Sequence, residues 1–95
     1  MTTATLIEIF IPGPLRAYAN GASAIDVAAS TVRGAFEELE RTNAALYRNI
    51  CDETGVVRRH IGVFVNNTHI RDLSGLDTSL EAGDVLTILP AVSGG

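Results

Sequence analysis

The chain has 95 residues and is 46% hydrophobic, which is enough for one domain with a single core and leaves no room for a second. Its net charge of −4 argues against a nucleic-acid partner, because an acidic surface repels phosphates. We expect a cytoplasmic protein, since the sequence has neither the roughly 20 apolar residues of a membrane helix nor the pattern of a signal peptide.

The first predicted element is a half-buried strand over residues 5–11. Isoleucine stands at every second position, at Ile7, Ile9 and Ile11, while Glu8 marks the opposite face. Alternation with a period of two is typical of a strand with one face on the core.

The end of this strand, a connection and a short second strand are predicted next. Pro12-Gly13-Pro14 ends the first strand, because proline cannot donate to a ladder and restricts the residue before it. Residues 15–21 are predicted to form a loop or wide connection, in which Asn20 and Gly21 tolerate positive φ. Residues 24–27 are predicted to return as a short strand.

One amphipathic helix is predicted after this strand, with Ser30 or Thr31 as its N-cap. Its apolar residues recur at mainly three- and four-residue spacing. They are Val32, Ala35, Phe36, Leu39 and Leu46. The segment 46–57 is predicted to be an irregular loop.

The second half of the chain predicts a tight hairpin and a last strand. Alternation over 60–66 indicates a strand, and Asn66-Asn67 is a turn signal leading into a short strand over 68–71. The turn Gly83-Asp84 then leads into the last strand, 85–89, where alternate residues again share a face.

The chain ends on an unusual tail. Pro90 has no N–H to offer a ladder, so we expect sheet pairing to end there. Gly94 and Gly95 have no Cβ and therefore fit where a side chain does not. We therefore predict a folded domain over 1–89 and a flexible tail over 90–95 that reaches roughly 20 Å when extended.

This ending resembles that of the ubiquitin-like sulfur carrier proteins of thiamin, molybdopterin and cysteine biosynthesis. The matching features are the turn Gly83-Asp84, the apolar strand 85–89, Pro90, the terminal Gly94-Gly95, and Pro14-Leu15-Arg16 after the first strand. The last eight residues are most similar to the mycobacterial-type carriers of cysteine biosynthesis. The resemblance implies an α+β fold of the β-grasp type, with a mixed sheet of four to five strands and one main helix on one face.

The resemblance also implies the chemistry. In this family an ATP-dependent E1-like enzyme adenylates the terminal carboxylate, and sulfur from a donor then replaces AMP to leave a thiocarboxylate. Gly95 is the expected attachment point and Gly94 the residue that lets it enter a narrow site. The chain itself is expected to be a cosubstrate with no bound cofactor, serving a downstream synthase that accepts the sulfur.

Partner recognition is expected beside the tail. If Leu86 faces the core, alternation turns Leu89 outward, and Phe64 points outward when its neighbours in the strand point inward. Exposed apolar patches often mark partner sites. We therefore expect Phe64, Leu89, Pro90 and Val92 to contact partners.

Other chemistry finds less support in the sequence. One cysteine, Cys51, cannot form an internal disulfide, and with two histidines at unrelated spacings it makes no metal site. No CxxC pattern accompanies it, so we expect no redox role for it. Arg58-Arg59-His60 is either a phosphate contact or, more commonly, a solvated start of a strand.

Three alternative functions remain open. The chain is a ubiquitin-like modifier if a lysine amine attacks the activated Gly95. It is the small subunit of a molybdopterin-synthase-like enzyme if its tail stays in a larger catalytic subunit. It is an interaction domain if the tail is inert.

Overall fold

The computed structural model describes residues 5–90, which form a five-stranded sheet, two α-helices and three short 3-10 helices. The strands are β1 (Leu6–Phe10), β2 (Ala24–Ala28), β3 (Ile61–Val65), β4 (Thr68–His69) and β5 (Val85–Pro90). The α-helices are α1 (Val32–Thr42) and α2 (Ala44–Ile50), and the 3-10 helices span Gly13–Ala19, Ile70–Asp72 and Gly75–Asp77. Over this described part, no helix is long and apolar enough to cross a membrane.

The sheet is mixed, with strand order β2-β1-β5-β3-β4. The first and last strands, β1 and β5, run parallel at its centre, while the β1–β2, β3–β5 and β3–β4 pairs are antiparallel. A parallel pair needs a long crossover, and here the helices and β3–β4 lie between the two strands in the chain. The predicted α+β, β-grasp arrangement is confirmed.

One face of the sheet, here called the inner face, packs on the helices. Alternate residues of β1, β3 and β5 are buried there, and the apolar side of α1 and α2 closes over them. The largest of the fully buried side chains are Ile7, Ile9, Ile11, Leu39, Leu46, Ile50, Leu86, Ile88, Val32, Val63 and Cys51. The opposite face of the sheet, the outer face, carries the residues that alternate with these, which are exposed or partly exposed.

The helical segment differs from its prediction in one respect. Thr31 is the N-cap, since its hydroxyl oxygen accepts the N–H of Gly34 at 3.0 Å. At the other end Asn43 leaves the helical conformation with φ −151°, and a second helix, α2, follows. The irregular loop predicted from Leu46 is therefore wrong over its first residues, because Leu46 and Ile50 lie one turn apart and bury the same side of α2.

The structure also differs in detail from the predicted loop over 15–21 and the predicted short strand over 68–71. The loop predicted over 15–21 is largely a 3-10 helix, Gly13–Ala19, held by the buried side chains of Leu15 and Ala19. It ends at Asn20 and Gly21, which have the predicted positive φ values of 55° and 83°. The strand predicted over 68–71 was too long, because the backbone turns into a 3-10 helix directly after His69.

The structure corrects the predicted end of the last strand. β5 includes Pro90, which lies opposite Ile61 on β3, so the boundary predicted between 1–89 and 90–95 falls inside this strand. Asn66 donates its N–H to the carbonyl oxygen of Val85 at 2.7 Å. Hydrogen-bonded and non-hydrogen-bonded pairs alternate along an antiparallel ladder. Asn66–Val85 is a hydrogen-bonded pair, so Ile61–Pro90, five pairs further along the same ladder, is a non-hydrogen-bonded pair. The N–H that proline lacks is therefore not needed by β3, and on the other side β1 has already ended.

Candidate functional site

The candidate site begins where the last described residue, Pro90, continues into the tail. The predicted reactive residues Gly94 and Gly95 and the predicted contact Val92 lie outside the described residues, so their roles stay predictions. Their starting point is nevertheless well defined, because it is the end of the central strand.

The end of β5 is only half enclosed. Its parallel neighbour β1 is in register with it up to the pair Phe10–Thr87. Beyond Thr87, β5 has only β3 beside it, where Leu89 lies opposite Gly62. The last three residues of β5, from Ile88 to Pro90, are therefore in register with a neighbouring strand on one side only.

A row of side chains crosses the outer face just before this point. The strand register places Phe10, Thr87, Phe64 and His69 side by side on β1, β5, β3 and β4. The rings of Phe64 and His69 meet edge to face, with their centroids 4.9 Å apart and their planes at 68°. Aromatic pairs prefer this geometry.

Gly62 provides room for the Phe64 ring. A Cβ atom at position 62 would lie 3.2 Å from Cε1 of Phe64, which is tighter than an ordinary carbon contact. The ring of Phe64 thus leans along the strand over Gly62, with His69 on its other side. It points to the outer face as predicted, but it is only partly exposed.

Leu89 is the exposed apolar side chain nearest the tail. It is 43% exposed and lies diagonally across the ladder from Phe64. Diagonal neighbours on one face are within reach of long side chains. Phe10, Phe64 and Leu89 together are called the outer-face patch below.

Sequence reasoning missed two parts of this surface, Phe10 and Arg16. The guanidinium carbon of Arg16 lies 5.7 Å from the centroid of the Phe10 ring, within the range of a cation–π contact. The Nε of Arg16 also donates to the carbonyl oxygen of Ile11 at 2.9 Å, which fixes the side chain. Alternation along β1 does place Phe10 on the outer face, but only the parallel register brings it beside β5.

The outer face is acidic at the end away from the tail. Glu8 lies directly opposite Asp26 on β2, and on its other side it is in register with Val85. Like charges placed opposite each other destabilise a strand pair, although exposure to water reduces the effect. The half of the outer face nearer the tail is therefore apolar and flanked by a cation, and the half farther from the tail is anionic.

The remaining sequence candidates lie away from this surface. Cys51 follows α2 and is 1% exposed. Burial, and secondarily the carboxylate of Asp52, raises the pKa of its thiol to about 11. Arg58 uses its Nε to donate to the carbonyl oxygen of Arg48 at 2.7 Å. Between residues 5 and 90, no three His, Cys, Asp or Glu side chains are grouped closely enough to hold a metal ion.

Comparison with known proteins extends this description to the whole chain. Residues 9–95 match the sequence profile of the ThiS family. The sulfur carrier protein CysO of Mycobacterium tuberculosis is 30% identical over 91 residues, which cover 94% of this chain and 98% of that protein.

Solved structures give the same result. A chain in the crystal structure of the Amycolatopsis orientalis BexX/CysO complex has a TM-score of 0.84 and 32% identity, covering 94% of this chain and 99% of that chain. The small archaeal modifier protein SAMP1 of Methanosarcina acetivorans has a TM-score of 0.85 and 26% identity, covering 99% and 100%. The resemblance and the β-grasp fold expected from the sequence are both confirmed.

The buried position of Cys51 predicts an unreactive thiol. With a pKa of about 11, roughly 0.1% of it is thiolate at pH 8, and the thiolate is the reactive form. We expect a disulfide reagent such as DTNB to label the native protein at least about 100-fold more slowly than the guanidinium-unfolded protein, with the native rate rising as pH approaches the thiol pKa. Equal rates in the two states would contradict the buried placement.

Proposed function

The chain belongs to the ThiS family and is a sulfur carrier protein of the CysO/ThiS type, and from this premise we propose that Gly95 carries sulfur as a C-terminal thiocarboxylate. The observation that carries the proposal is the Gly94-Gly95 pair, which lies four and five residues beyond Pro90 in the part of the chain that matches the ThiS profile. Similarity to CysO over 94% of the chain supports it.

The proposed chemistry has two steps. The carboxylate of Gly95 is an anion at neutral pH and a poor electrophile. A carboxylate oxygen therefore attacks the α-phosphorus of ATP on an E1-like adenylating enzyme, and pyrophosphate leaves. Sulfide from a sulfur donor then attacks the carbonyl carbon of the adenylate, AMP leaves with the electron pair of the broken bond, and a thiocarboxylate remains.

This scheme makes the protein a cosubstrate, with the catalytic groups supplied by its partners. The final acceptor is proposed to be a synthase that builds cysteine or a related sulfur metabolite, because CysO is among the similar proteins. We place the reaction in the cytoplasm, where ATP for the first step is available. A similar carrier has been crystallised in a complex, which supports the expectation of stable docking.

We assign docking to the outer-face patch together with Pro90 and Val92. Phe64 is held in place by His69 and Gly62, so it loses little conformational freedom when a partner covers it. Leu89 offers exposed apolar area one residue before Pro90. A partner that covers these side chains therefore receives the tail at its active site.

A second candidate function is protein modification, favoured by the similarity to SAMP1. In this reading a lysine amine, rather than sulfide, attacks the activated Gly95. The seven cationic side chains of this chain are all arginines, so no lysine of its own is available as acceptor. An isopeptide adduct would consequently join Gly95 to a different protein, and chains linked through internal lysines would not form.

The tail chemistry predicts a defined change in intact mass. We expect the chain, incubated with ATP and its adenylating enzyme, to gain AMP, and on addition of sulfide to replace this with the mass difference between sulfur and oxygen. A chain lacking Gly95 is the control and should show neither change. Iodoacetamide should alkylate the new thiocarboxylate while the buried Cys51 stays unmodified.

The outcomes of this experiment separate the candidate functions. A sulfur-for-oxygen change confined to the full chain supports the carrier. Formation of an adenylate that transfers only to lysines of other proteins, with no sulfur gained, would contradict the carrier and support the modifier. No change with any adenylating enzyme would contradict both.

The docking surface predicts unequal effects of two matched substitutions. Leu89 and Leu73 are 43% and 45% exposed, so Leu89→Asp and Leu73→Asp make the same chemical change at side chains of similar exposure. We expect Leu89→Asp to lower kcat/KM for adenylation about tenfold, or ~1.4 kcal/mol, mainly through KM, and Leu73→Asp to change it less than about twofold. Equal effects of the two substitutions would exclude the outer-face patch as the docking surface.

A further inference from the structure

The sheet has an uncovered edge at β2. In the strand order β2-β1-β5-β3-β4, β2 pairs with β1 on one side, and no other strand between residues 5 and 90 pairs with its opposite side. Its residues Ala24, Asp26 and Ala28 are exposed. An uncovered strand edge presents backbone N–H and C=O groups with which another extended chain can pair. The edge of β2 is therefore a candidate site for the addition of a strand.

The register of β2 on β1 shows which backbone groups face this edge. The N–H of Ala29 donates to the carbonyl oxygen of Thr5 at 2.9 Å, so these two residues form a hydrogen-bonded pair at one end of the ladder. Hydrogen-bonded and non-hydrogen-bonded pairs alternate along an antiparallel ladder. Ala24, Asp26 and Ala28 therefore lie in non-hydrogen-bonded pairs, and their backbone groups point away from β1.

The bond at the other end of the ladder gives the same result. Ile11 donates its N–H to the carbonyl oxygen of Ser23 at 2.8 Å, and this pair lies an even number of positions from the first, as the alternation requires. Among the backbone hydrogen bonds of turns and loops within residues 5–90, none reaches Ala24, Asp26 or Ala28. The N–H and C=O groups of these three residues are thus available to another chain.

The side chain at the middle of this edge is anionic and has no cationic partner among residues 5–90. Asp26 lies directly opposite Glu8, both are exposed, and the two ion pairs of this part of the chain are made by other side chains. A strand added to β2 would place one residue opposite Asp26, with its Cα about 5.5 Å away and its side chain on the same face of the sheet. A lysine or arginine at that position would relieve the repulsion between the two carboxylates.

The inner face of β2 is aliphatic. Val27 is buried in the core, and Ile25 is partly buried against it. The helix α1 passes close to the chain that follows β2, since a Cβ atom at Gly34 would lie 3.6 Å from the Cβ of Ala29. Aliphatic side chains of an added strand would extend the inner face sideways past Ile25 and Val27. The edge is thus suited to a strand whose aliphatic and cationic residues alternate.

Asp26 also disfavours pairing of this edge with a second copy of the chain. Two copies joined antiparallel with full overlap of β2 would place Asp26 opposite Asp26, with a Glu8 beyond each of them. Like charges directly opposite each other destabilise a strand pair, and charged residues on an edge protect against self-association. The net charge of −4 on each copy adds to the repulsion. A basic partner is therefore favoured over a second copy.

We propose that the edge of β2 binds an extended basic segment of a partner protein, which adds antiparallel to β2, places a lysine or arginine opposite Asp26 and turns its alternate aliphatic side chains toward the inner face. The segment would lie three strand spacings, roughly 14 Å, from β5, so that Phe64 and Leu89 stay uncovered. The inference goes beyond the proposed function and is independent of what the tail carries, because strand addition needs neither ATP nor an activating enzyme.

The test uses the full chain, labelled with nitrogen-15, and a seven-residue peptide that alternates valine and lysine and has valine at both ends. Amide hydrogen exchange reads out which backbone N–H groups become hydrogen-bonded. The amides of Ala24, Asp26 and Ala28 should exchange about tenfold more slowly when about nine-tenths of the protein is bound, because exchange then proceeds from the free tenth. The amides of Ile25 and Val27 already face β1 and should change less.

Matched peptides separate strand pairing from general attraction of charge. N-methylation of the three lysines removes the N–H groups that would face β2 and should weaken binding at least about tenfold. N-methylation of three of the valines, whose N–H groups would face away from β2, should change affinity less than about threefold. A peptide with aspartate in place of each lysine should not bind.

Charge reversal on the protein locates the contact. Asp26→Lys should weaken binding of the valine–lysine peptide about tenfold, because an attraction becomes a repulsion. Asp72→Lys makes the same change in net charge at an exposed aspartate shortly after β4, at the other edge of the sheet, and should change affinity less than about twofold. Retained dispersion of the amide spectrum establishes that each variant is folded.

Several outcomes would overturn the proposal. These are unchanged exchange at Ala24, Asp26 and Ala28 with the peptide in excess, equal binding of the two N-methylated peptides, and equal loss of affinity in the Asp26 and Asp72 variants. Slower exchange of the same three amides when the protein is concentrated without peptide would also overturn it and assign the edge to a second copy of the chain.

Discussion

The parallel pairing of β1 with β5 is the interaction on which the rest of the structure depends. It joins the two ends of the chain at the centre of the sheet and fully buries Ile9, Leu86 and Ile88 against the helices. β5 pairs with β1 over Val85–Thr87 and with β3 as far as Pro90. The segment that follows Pro90 therefore starts from the end of a strand that is anchored in the sheet. This arrangement suits the proposed carrier, because the tail starts at a fixed position beside the proposed docking surface.

The same strand register builds the outer-face patch. Phe10, Phe64 and Leu89 are far apart in sequence and meet only because β1 and β3 flank β5. The side chains around them, His69 and Arg16, limit how the two rings move. The proposed recognition is thus a property of the folded sheet, while the proposed chemistry belongs to residues with no side chains at all. This proposed division would let one carrier serve an activating enzyme and a sulfur acceptor in turn.

Local patterns predicted most of the fold, and the misses have physical causes. Alternation located β1, β3 and β5 and the direction of Phe64 and Leu89, because a strand with one buried face leaves a clear period in the sequence. It did not place Phe10 and Arg16 beside them, since a parallel register between chain ends leaves no local signal. The break at Asn43 and the inclusion of Pro90 in β5 were also missed. Both depend on tertiary context. The second helix forms because Leu46 and Ile50 are buried in the core, and Pro90 fits in β5 because its pair with Ile61 needs no N–H from it.

The claim that docking and chemistry reside in separate parts of the chain is tested most directly by a competition experiment. The chain lacking Gly94 and Gly95 retains every described element and the complete outer-face patch, but it has lost the proposed reactive end. Its inhibition constant for adenylation of the full chain should be close to the KM of the full chain, and the inhibition should be competitive. The account predicts that Leu89→Asp in the shortened chain raises the inhibition constant about tenfold, while Leu73→Asp changes it less than about twofold. A shortened chain that does not inhibit would show that the enzyme recognises the tail alone, and would contradict the account.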